Sequence, residues 1–299
     1  WRPSNYDGKF AGPKTLRYGI EHSKNLMTVR LAQDVGMPLI AEYARRFGVY
    51  DEMLPVLSMS LGAGETTVLR MTTAYSMFVN GGKKIKPTLI DRVQDRWGKT
   101  IYRHDERQCL GCDAEKWDNQ NEPKLIDKRE QVLDPLTAYQ ITNIMEGVIQ
   151  RGTGVSIKAV GKHLAGKTGT TNEAKDLWFV GYSPDLCVGV YIGYDRPRSM
   201  GSHAQAAQYS APIFRDFMMQ ALKDKPDTPF RVPPGIKLIS VNPSSGLRTA
   251  SNGELWPFKP GTAPPDSYSG GGDAPRQANT QDDQQIGRAS CRERVSSPV

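Results

Sequence analysis

The sequence predicts an α/β (α+β) fold in which an antiparallel sheet is flanked by helices, and three observations support this. The apolar segments DLWFVGYSP (176–184) and CVGVYIGYD (187–195) are separated by a short turn, which is typical of two paired strands. Residues 135–150 place apolar side chains on one helical face. The segment AQYSAPIFRDFMMQAL (207–222) predicts a second helix that packs on the sheet by its apolar face.

The N-terminal part is predicted to contain helices followed by a hairpin. Two helices are expected over residues 15–36, broken at Ser23-Lys24-Asn25 and ending near Gly36. Two more are expected over 38–47 and 66–80, and the second of these stops at the turn signal Asn80-Gly81-Gly82. The segment 88–105, TLIDRVQDRWGKTIYRHD, alternates and turns at Trp97-Gly98, which indicates a β-hairpin.

The later segments differ in composition. Residues 103–131 are polar and irregular, which predicts a surface insert. The helix at 135–150 carries a stripe that we assign to the core, with no functional role: Ile141, Ile144, Met145, Val148 and Ile149. Residues 225–262 are rich in proline and glycine and are expected to wrap the domain surface. From about 263 the chain lacks apolar periodicity and is predicted to be disordered, and its last residues, 285–299, resemble an appended non-native sequence.

Composition fits a globular protein. The 299 residues are 38% hydrophobic and 24% charged, with a net charge of +7. The basic residues are scattered, and no arginine-rich helix or aromatic-basic surface is recognisable, so we expect no nucleic-acid partner. No apolar run approaches the ~20 residues that span a bilayer, and no signal peptide is recognisable.

The tetrapeptide Lys167-Thr168-Gly169-Thr170 is the strongest chemical signal. On an edge strand, a Lys-Thr-Gly triad is one signature of serine acyltransferases that react with penicillin. The lysine supplies positive charge beside a reacting serine, and the threonine hydroxyls suit a substrate carboxylate. Glycine lets a substrate lie flat against the strand, whose N–H suits an oxyanion. Alone, the motif is better explained by a strand start with a solvated lysine.

A second motif lies upstream. Ser23-Lys24-Asn25 matches Ser-x-Asn, although Ser23 could also be a helix cap. The two motifs occur in the order that such acyltransferases require. Ser23 and Lys167 are therefore expected to meet across one cleft, with their polar atoms at roughly 2.6–3.5 Å or joined by one water.

The segments around both motifs extend the pattern. The longest are WRPSNYDGKFAGPKTLRYGIEHSKN, SLGAGETTVLRMTTAYSMFVNGGKKIKPTLI, LDPLTAYQITNIMEGVIQRGTG and AGKTGTTNEAKDLWFVGYSPDLCVGVYIGYD. From Trp1 to about Pro243 the chain resembles the transpeptidase domain of class A penicillin-binding proteins, the bifunctional glycosyltransferase–transpeptidases of peptidoglycan synthesis. The resemblance covers only the C-terminal part of that domain, and the region of the insert departs from it.

The resemblance implies a penicilloyl-serine-transferase (β-lactamase-like) fold that is N-terminally truncated. Residues 1–224 are expected to form a partial transpeptidase domain, 225–262 a C-terminal extension and 263–299 a disordered tail. The family's nucleophile lies in Ser-x-x-Lys, and none of the serines here has a lysine three residues later. We therefore expect the nucleophile, a glycosyltransferase module and a membrane anchor to lie upstream of residue 1, and these 299 residues alone to be inactive.

The resemblance also implies a mechanism, acyl transfer from a D-Ala-D-Ala stem peptide through a serine ester. Ser23 would relay a proton to the leaving amine, Asn25 would hold the substrate amide, and Lys167 would set the field around Ser23. Thr168 and Thr170 would bind the terminal carboxylate beside Gly169, and the Thr170 N–H would be an oxyanion donor. No metal or organic cofactor is implied. Expected partners are peptidoglycan stem peptides and β-lactams as covalent inhibitors, at the periplasmic face of the inner membrane.

Two other functions stay open. A D,D-carboxypeptidase or a β-lactamase-type hydrolase shares these motifs but uses water as the acceptor. A non-catalytic cell-wall or partner-binding module is an alternative of another class. Labelling by penicillin distinguishes an enzyme from a binding module.

Cys109 and Cys112 form a C-x-x-C within the insert. A zinc site would need a second ligand pair. The other candidate ligands are Cys187, which lies on a predicted buried strand, and the lone His104, so we expect no zinc site. A redox motif would need a thioredoxin-like βαβ context, which the sequence around these cysteines does not predict. In an oxidising compartment we expect a short-loop disulfide in an exposed loop far from the cleft, and free thiols are the alternative.

Overall fold

The computed structural model describes residues 1–112, 115, 116, 119 and 123–265. Within these residues the chain forms α-helices, a three-stranded antiparallel sheet against which some of them pack, and three separate hairpins. The α-helices are α1 (Leu16–Glu21), α2 (Asn25–Val35), α3 (Met37–Arg46), α4 (Val68–Val79), α5 (Pro135–Gln150) and α6 (Ser210–Ala221). The strands are β1 (Arg92–Gln94), β2 (Thr100–Arg103), β3 (Gln108–Leu110), β4 (Lys124–Ile126), β5 (Ala165–Thr170), β6 (Asp176–Tyr182), β7 (Cys187–Gly193), β8 (Lys237–Val241) and β9 (Glu254–Phe258).

The central sheet has the order β5-β6-β7 and is antiparallel throughout. Lys167 of β5 pairs with Val180 of β6, and Phe179 of β6 pairs with Val190 of β7. The predicted strand pair over 176–195 is confirmed. β5 borders this three-stranded sheet, so the Lys-Thr-Gly sequence lies on an edge strand.

The main core lies between this sheet and helices α5 and α6. The Phe179 and Phe214 rings pack with centroids 4.7 Å apart, and Met218 and Ile149 complete the cluster. A Cβ at Gly166 would lie 2.7 Å from the Phe179 ring, so glycine is required for β5 to approach it. The helix predicted at 207–222 is confirmed as α6, and its apolar face packs on the sheet as expected.

Helix α5 is also confirmed. Asp134 caps it by accepting from the Leu136 and Thr137 amides, and Pro135 occupies its first turn. Met145, Val148 and Ile149 of the predicted stripe are buried, and Ile141 and Ile144 are half-buried. The buried Thr142 hydroxyl pairs with the Tyr182 hydroxyl at 2.9 Å, which ties α5 to the sheet.

The insert is more regular than the sequence indicated. The predicted hairpin at 88–105 is present as β1–β2, and a second hairpin, β3–β4, lies inside the segment that we expected to be irregular. A disulfide joins Cys109 and Cys112, and Cys109 lies on β3 rather than in a loop. Cross-strand backbone pairing forms this hairpin from two strands of only three residues each.

The C-terminal extension contains a hairpin that the sequence did not indicate. Strands β8 and β9 pair antiparallel, with Ile239 opposite Trp256. Trp256 and Phe230 are buried, and Phe230 meets the Tyr182 ring edge-on at 5.7 Å. We expected residues 225–262 only to wrap the domain surface, but they also contribute buried side chains to the core. The disorder predicted from about 263, and the non-native end predicted at 285–299, fall almost entirely outside the described residues.

No helix among the described residues is both long and apolar enough to cross a membrane. In the same part of the chain, no group of three or more His, Cys, Asp or Glu side chains is placed to hold a metal ion.

Candidate active site

The centre of the site is a contact between residues that are 144 positions apart. The Lys167 Nζ donates to the Ser23 Oγ at 2.7 Å and to the Thr168 carbonyl at 3.1 Å. The turn between α1 and α2 therefore faces the edge strand β5. The distance falls within the range that the motif order predicted.

The backbone places Ser23 at this contact. Ser23 has a φ of 52°, in the left-handed region that non-glycine residues rarely adopt. Its N–H donates to the Ile20 carbonyl and the Lys24 N–H donates to the Gly19 carbonyl, which close the end of α1. The alternative role of Ser23 as a cap of α2 is wrong, because Lys24 holds that position and provides no side-chain cap. Backbone strain of this kind is concentrated at functional sites.

Lys167 is held in a partly dehydrated position. The residue is half-buried at the edge of the sheet, and burial lowers the pKa of Lys167 to about 8. Desolvation disfavours the charged ammonium form. At neutral pH the group therefore remains mainly charged, yet it can lose its proton at mildly alkaline pH.

The rest of the motif lies along β5 with specific partners. The Thr168 hydroxyl bonds to the Thr153 hydroxyl at 2.8 Å, and the Thr170 hydroxyl accepts from the Ala206 N–H at 3.1 Å. A Cβ at Gly169 would lie 3.3 Å from the Trp178 Cβ, so the small residue keeps the strand closely packed. Both threonine hydroxyls are thus held by neighbouring loops.

Asn25, the other member of the Ser-x-Asn motif, begins helix α2. Its side-chain amide donates to the Ser4 carbonyl at 2.9 Å. The structure therefore places Ser23 against Lys167, on the strand that also carries Thr168 and Thr170, and we call this group of residues the cleft. It holds the Asn25 side chain against the N-terminal segment.

That N-terminal segment forms part of the cleft wall, which the sequence did not indicate. The Asp7 carboxylate accepts from Lys24 Nζ at 2.6 Å, and this hydrogen bond lowers the pKa of Asp7. The Gln205 amide donates to the Tyr6 hydroxyl at 2.8 Å, which connects the segment to the loop that precedes α6. The turn sequence Asn5-Tyr6-Asp7-Gly8 was the available signal, since such residues favour tight turns.

A buried ionic cluster lies behind Ser23 and was also missed. Glu21 is 3% exposed, and Arg151 donates to its two carboxylate oxygens at 2.9 and 2.6 Å. Arg17 lies 3.5 Å from the same carboxylate, and its guanidinium stacks over the Trp256 ring at 4.6 Å. Burial lowers the pKa of Arg17. The charges are paired, as buried charges must be.

Two glycines leave the space that Glu21 occupies. A Cβ at Gly147 would collide with the Glu21 carboxylate, and a Cβ at Gly152 would collide with the Glu21 carbonyl. That carbonyl accepts from the Thr153 N–H at 3.1 Å. The end of α1 is therefore fixed against the end of α5 immediately before Ser23.

Known proteins share this architecture. The family model described as the penicillin-binding protein transpeptidase domain matches residues 1–219. Penicillin-binding protein 1A of Rickettsia conorii is 46% identical over 263 residues, which cover 87% of this chain and 33% of that protein. Penicillin-binding protein 1A of Neisseria lactamica is 40% identical over 238 residues, 79% of this chain and 28% of that protein.

A solved structure agrees with these sequence relatives. The crystal structure of penicillin-binding protein 1A from Haemophilus influenzae matches with a TM-score of 0.76 at 28% identity. The match covers 90% of this chain and 43% of that one. The chain spans about a third of the length of the curated relatives that it matches.

Proposed function

This chain belongs to the penicillin-binding protein transpeptidase domain family, a family of serine acyltransferases, and we propose that its cleft is part of a D,D-transpeptidase site that cross-links peptidoglycan stem peptides. The observation that carries the proposal is the 2.7 Å hydrogen bond from Lys167 to Ser23. A partly dehydrated ammonium beside the hydroxyl of a serine with a strained backbone is suited to proton transfer at a reacting carbonyl.

The proposed reaction has two steps. A serine hydroxyl of a Ser-x-x-Lys sequence, which these 299 residues lack, attacks the penultimate D-Ala carbonyl of a stem peptide. The serine proton passes to a base, the peptide bond breaks, and the leaving D-Ala amine takes a proton through Ser23. An acceptor amine then attacks the ester carbonyl and loses a proton, the bond to the serine oxygen breaks as the cross-link forms, and that oxygen takes up a proton.

The remaining residues have roles in binding. Lys167 stabilises negative charge near Ser23, and the hydroxyls of Thr168 and Thr170 receive the terminal carboxylate along the open strand at Gly169. The Thr170 N–H is an oxyanion donor. Asn25 holds the substrate amide, which requires its amide group to leave the Ser4 carbonyl. No metal or organic cofactor takes part.

We propose a domain organisation and a cellular location on the same grounds. Residues 1–224 form part of the transpeptidase domain, and 225–262 form an extension. The protein acts at the periplasmic face of the inner membrane. Its ligands are stem peptides and β-lactams, with no nucleic acid. The hydrolase and non-catalytic alternatives are not favoured, since the relatives that cover most of the chain are penicillin-binding proteins 1A.

Labelling with a fluorescent penicillin tests the proposal. The 299-residue chain should remain unlabelled on a denaturing gel, and a longer protein that supplies Ser-x-x-Lys should be labelled covalently. Pre-incubation with unlabelled penicillin should abolish the band. Covalent labelling of the 299-residue chain would mean that another serine is the nucleophile, and an unlabelled longer protein would contradict the proposed function.

A further inference from the structure

We propose that Thr153 is a positioning residue that holds the strand carrying Lys167 against the turn carrying Ser23. Its N–H donates to the Glu21 carbonyl at 3.1 Å, two residues before Ser23. Its hydroxyl bonds to the Thr168 hydroxyl at 2.8 Å, one residue after Lys167. One residue therefore contacts both the end of α1, just before Ser23, and the strand β5 that carries Lys167. The inference rests on the proposed function for its catalytic consequence, though not for its geometry.

The backbone around Thr153 is fixed by helix α5. The Gly152 N–H donates to the Gly147 and Val148 carbonyls at 3.1 Å, and the Gly154 N–H donates to the Val148 carbonyl at 2.9 Å. Gly154 is buried. The turn after α5 is thus attached on both sides of Thr153, so its hydroxyl has a defined position.

The Glu21 end of the connection is equally fixed. The buried Glu21 carboxylate takes two hydrogen bonds from Arg151, the residue just after α5. Its carbonyl cannot move far, because the backbone of Gly152 packs directly against it. Thr153 therefore joins β5 to an anchored part of the chain rather than to a mobile loop.

The hydroxyl pair has a chemical consequence. Lys167 Nζ donates to the Thr168 carbonyl as well as to Ser23, so the orientation of the peptide at Thr168 affects where the ammonium lies. Loss of the Thr153 hydroxyl frees the Thr168 side chain and lets β5 relax away from the Ser23 turn. Small displacements of this kind cost reaction rate, because catalytic groups act only in a narrow geometry.

The first measurement uses the 299-residue chain and needs no catalysis. Lysines are ¹³C-dimethylated, the Lys167 resonance is assigned by its loss in Lys167→Arg, and its pKa is read by NMR titration. Thr153→Val keeps the N–H and the shape but removes the hydroxyl, and it should raise the pKa of Lys167 by about half a unit or more as water reaches the ammonium. Thr153→Ser, which keeps a hydroxyl, should restore the wild-type titration.

A matched control separates positioning from folding. Thr142→Val removes another hydroxyl pair on α5, the 2.9 Å bond to Tyr182, at a point in the core. It should lower the melting temperature and leave the pKa of Lys167 unchanged. If Thr153→Val does not fold, Thr153→Ala provides the same loss of the hydroxyl.

The second measurement uses the longer protein with Ser-x-x-Lys. Thr153→Val should lower the rate constant of acylation by fluorescent penicillin about tenfold, and Thr153→Ser should stay within about twofold of wild type. Unchanged acylation together with an unchanged pKa of Lys167 in Thr153→Val would overturn the positioning role. A longer wild-type protein that is not acylated contradicts the proposed function alone, because the titration still tests Thr153.

Discussion

The cleft and the two hairpins between α4 and α5 contain similar residue types but are held together in different ways. We call these two hairpins, β1–β2 and β3–β4, the outer hairpins. At the cleft, Lys167 meets Ser23 across 144 positions, and Arg151 meets Glu21 across 130. In the outer hairpins every residue of β1 and β2 is exposed, and in the link between the two hairpins Arg107 pairs with Asp105, only two positions away. Distant, buried contacts can fix one geometry, whereas local, exposed ones add little rigidity.

The electrostatic contrast is as clear. The hydrogen bonds from Arg107 hold the pKa of Asp105 well below its usual range, although the carboxylate lies in water. At Lys167 burial is the cause of the lowered pKa, because it makes the charged ammonium less favourable than it would be in water. A perturbed pKa indicates a reactive site more directly when desolvation produces it than when an exposed partner does.

The largest expected effect is at the cleft. In the longer protein with Ser-x-x-Lys, Lys167→Ala and Ser23→Ala should each lower the acylation rate by about 10²-fold or more, because both groups act on the transition state. The measurement is the time course of fluorescent-penicillin labelling. Lys99→Ala, in the β1–β2 turn, is the control and should label at the wild-type rate. Equal rates for Lys167→Ala and Lys99→Ala would remove the distinction between the two regions.

The next effect concerns stability. Glu21→Gln should lower the free energy of unfolding by about 3 kcal/mol, because it leaves the Arg17 and Arg151 guanidiniums without their buried carboxylate. Asp105→Asn breaks an exposed pair and should cost about 1 kcal/mol or less. Urea denaturation followed by circular dichroism measures both. Similar losses for the two variants would show that the buried cluster is no more important than a surface pair.

The smallest effect is expected at the disulfide. The double variant Cys109→Ser, Cys112→Ser should lower the free energy of unfolding by about 1 kcal/mol or less, because the bridge closes a very short loop in an exposed hairpin. Penicillin labelling of the longer protein should not change. Hydrogen exchange should increase in β3 and remain constant in β5. Stoichiometric zinc in the purified protein, or slower labelling of the variant, would contradict this independence.

The sequence predicted the elements whose signals are local. Alternation and turn residues were sufficient for β6 and β7, and the apolar stripe was sufficient for α5. Strand β9 was missed because Pro257 lies within a five-residue strand, where proline argues against a central position. The β3–β4 hairpin was missed because each strand has only three residues, too few to show an alternating pattern.

The site shows the same division. Lys167 and Ser23 were found because each lies in a short motif, and their meeting followed from motif order. Glu21 and Arg151 were missed because a single acidic or basic residue on a helix is usually solvated. Only the fold shows that Gly147 and Gly152 leave room for the carboxylate. Partners that are distant in sequence leave no local pattern.

The stacking of Arg17 on Trp256 has a consequence for biosynthesis. The two residues lie near opposite ends of the described chain, and Arg151 also pairs with Glu254 at 2.9 Å. A ribosome makes the chain from its N-terminus, so α1 leaves the exit tunnel long before β9 exists. During that interval Arg17 lacks its aromatic partner, and the cluster behind Ser23 is incomplete. Maturation of the cleft therefore waits until β9 has been made, and premature termination before β9 would leave a nascent chain that contains both motifs but lacks their full support.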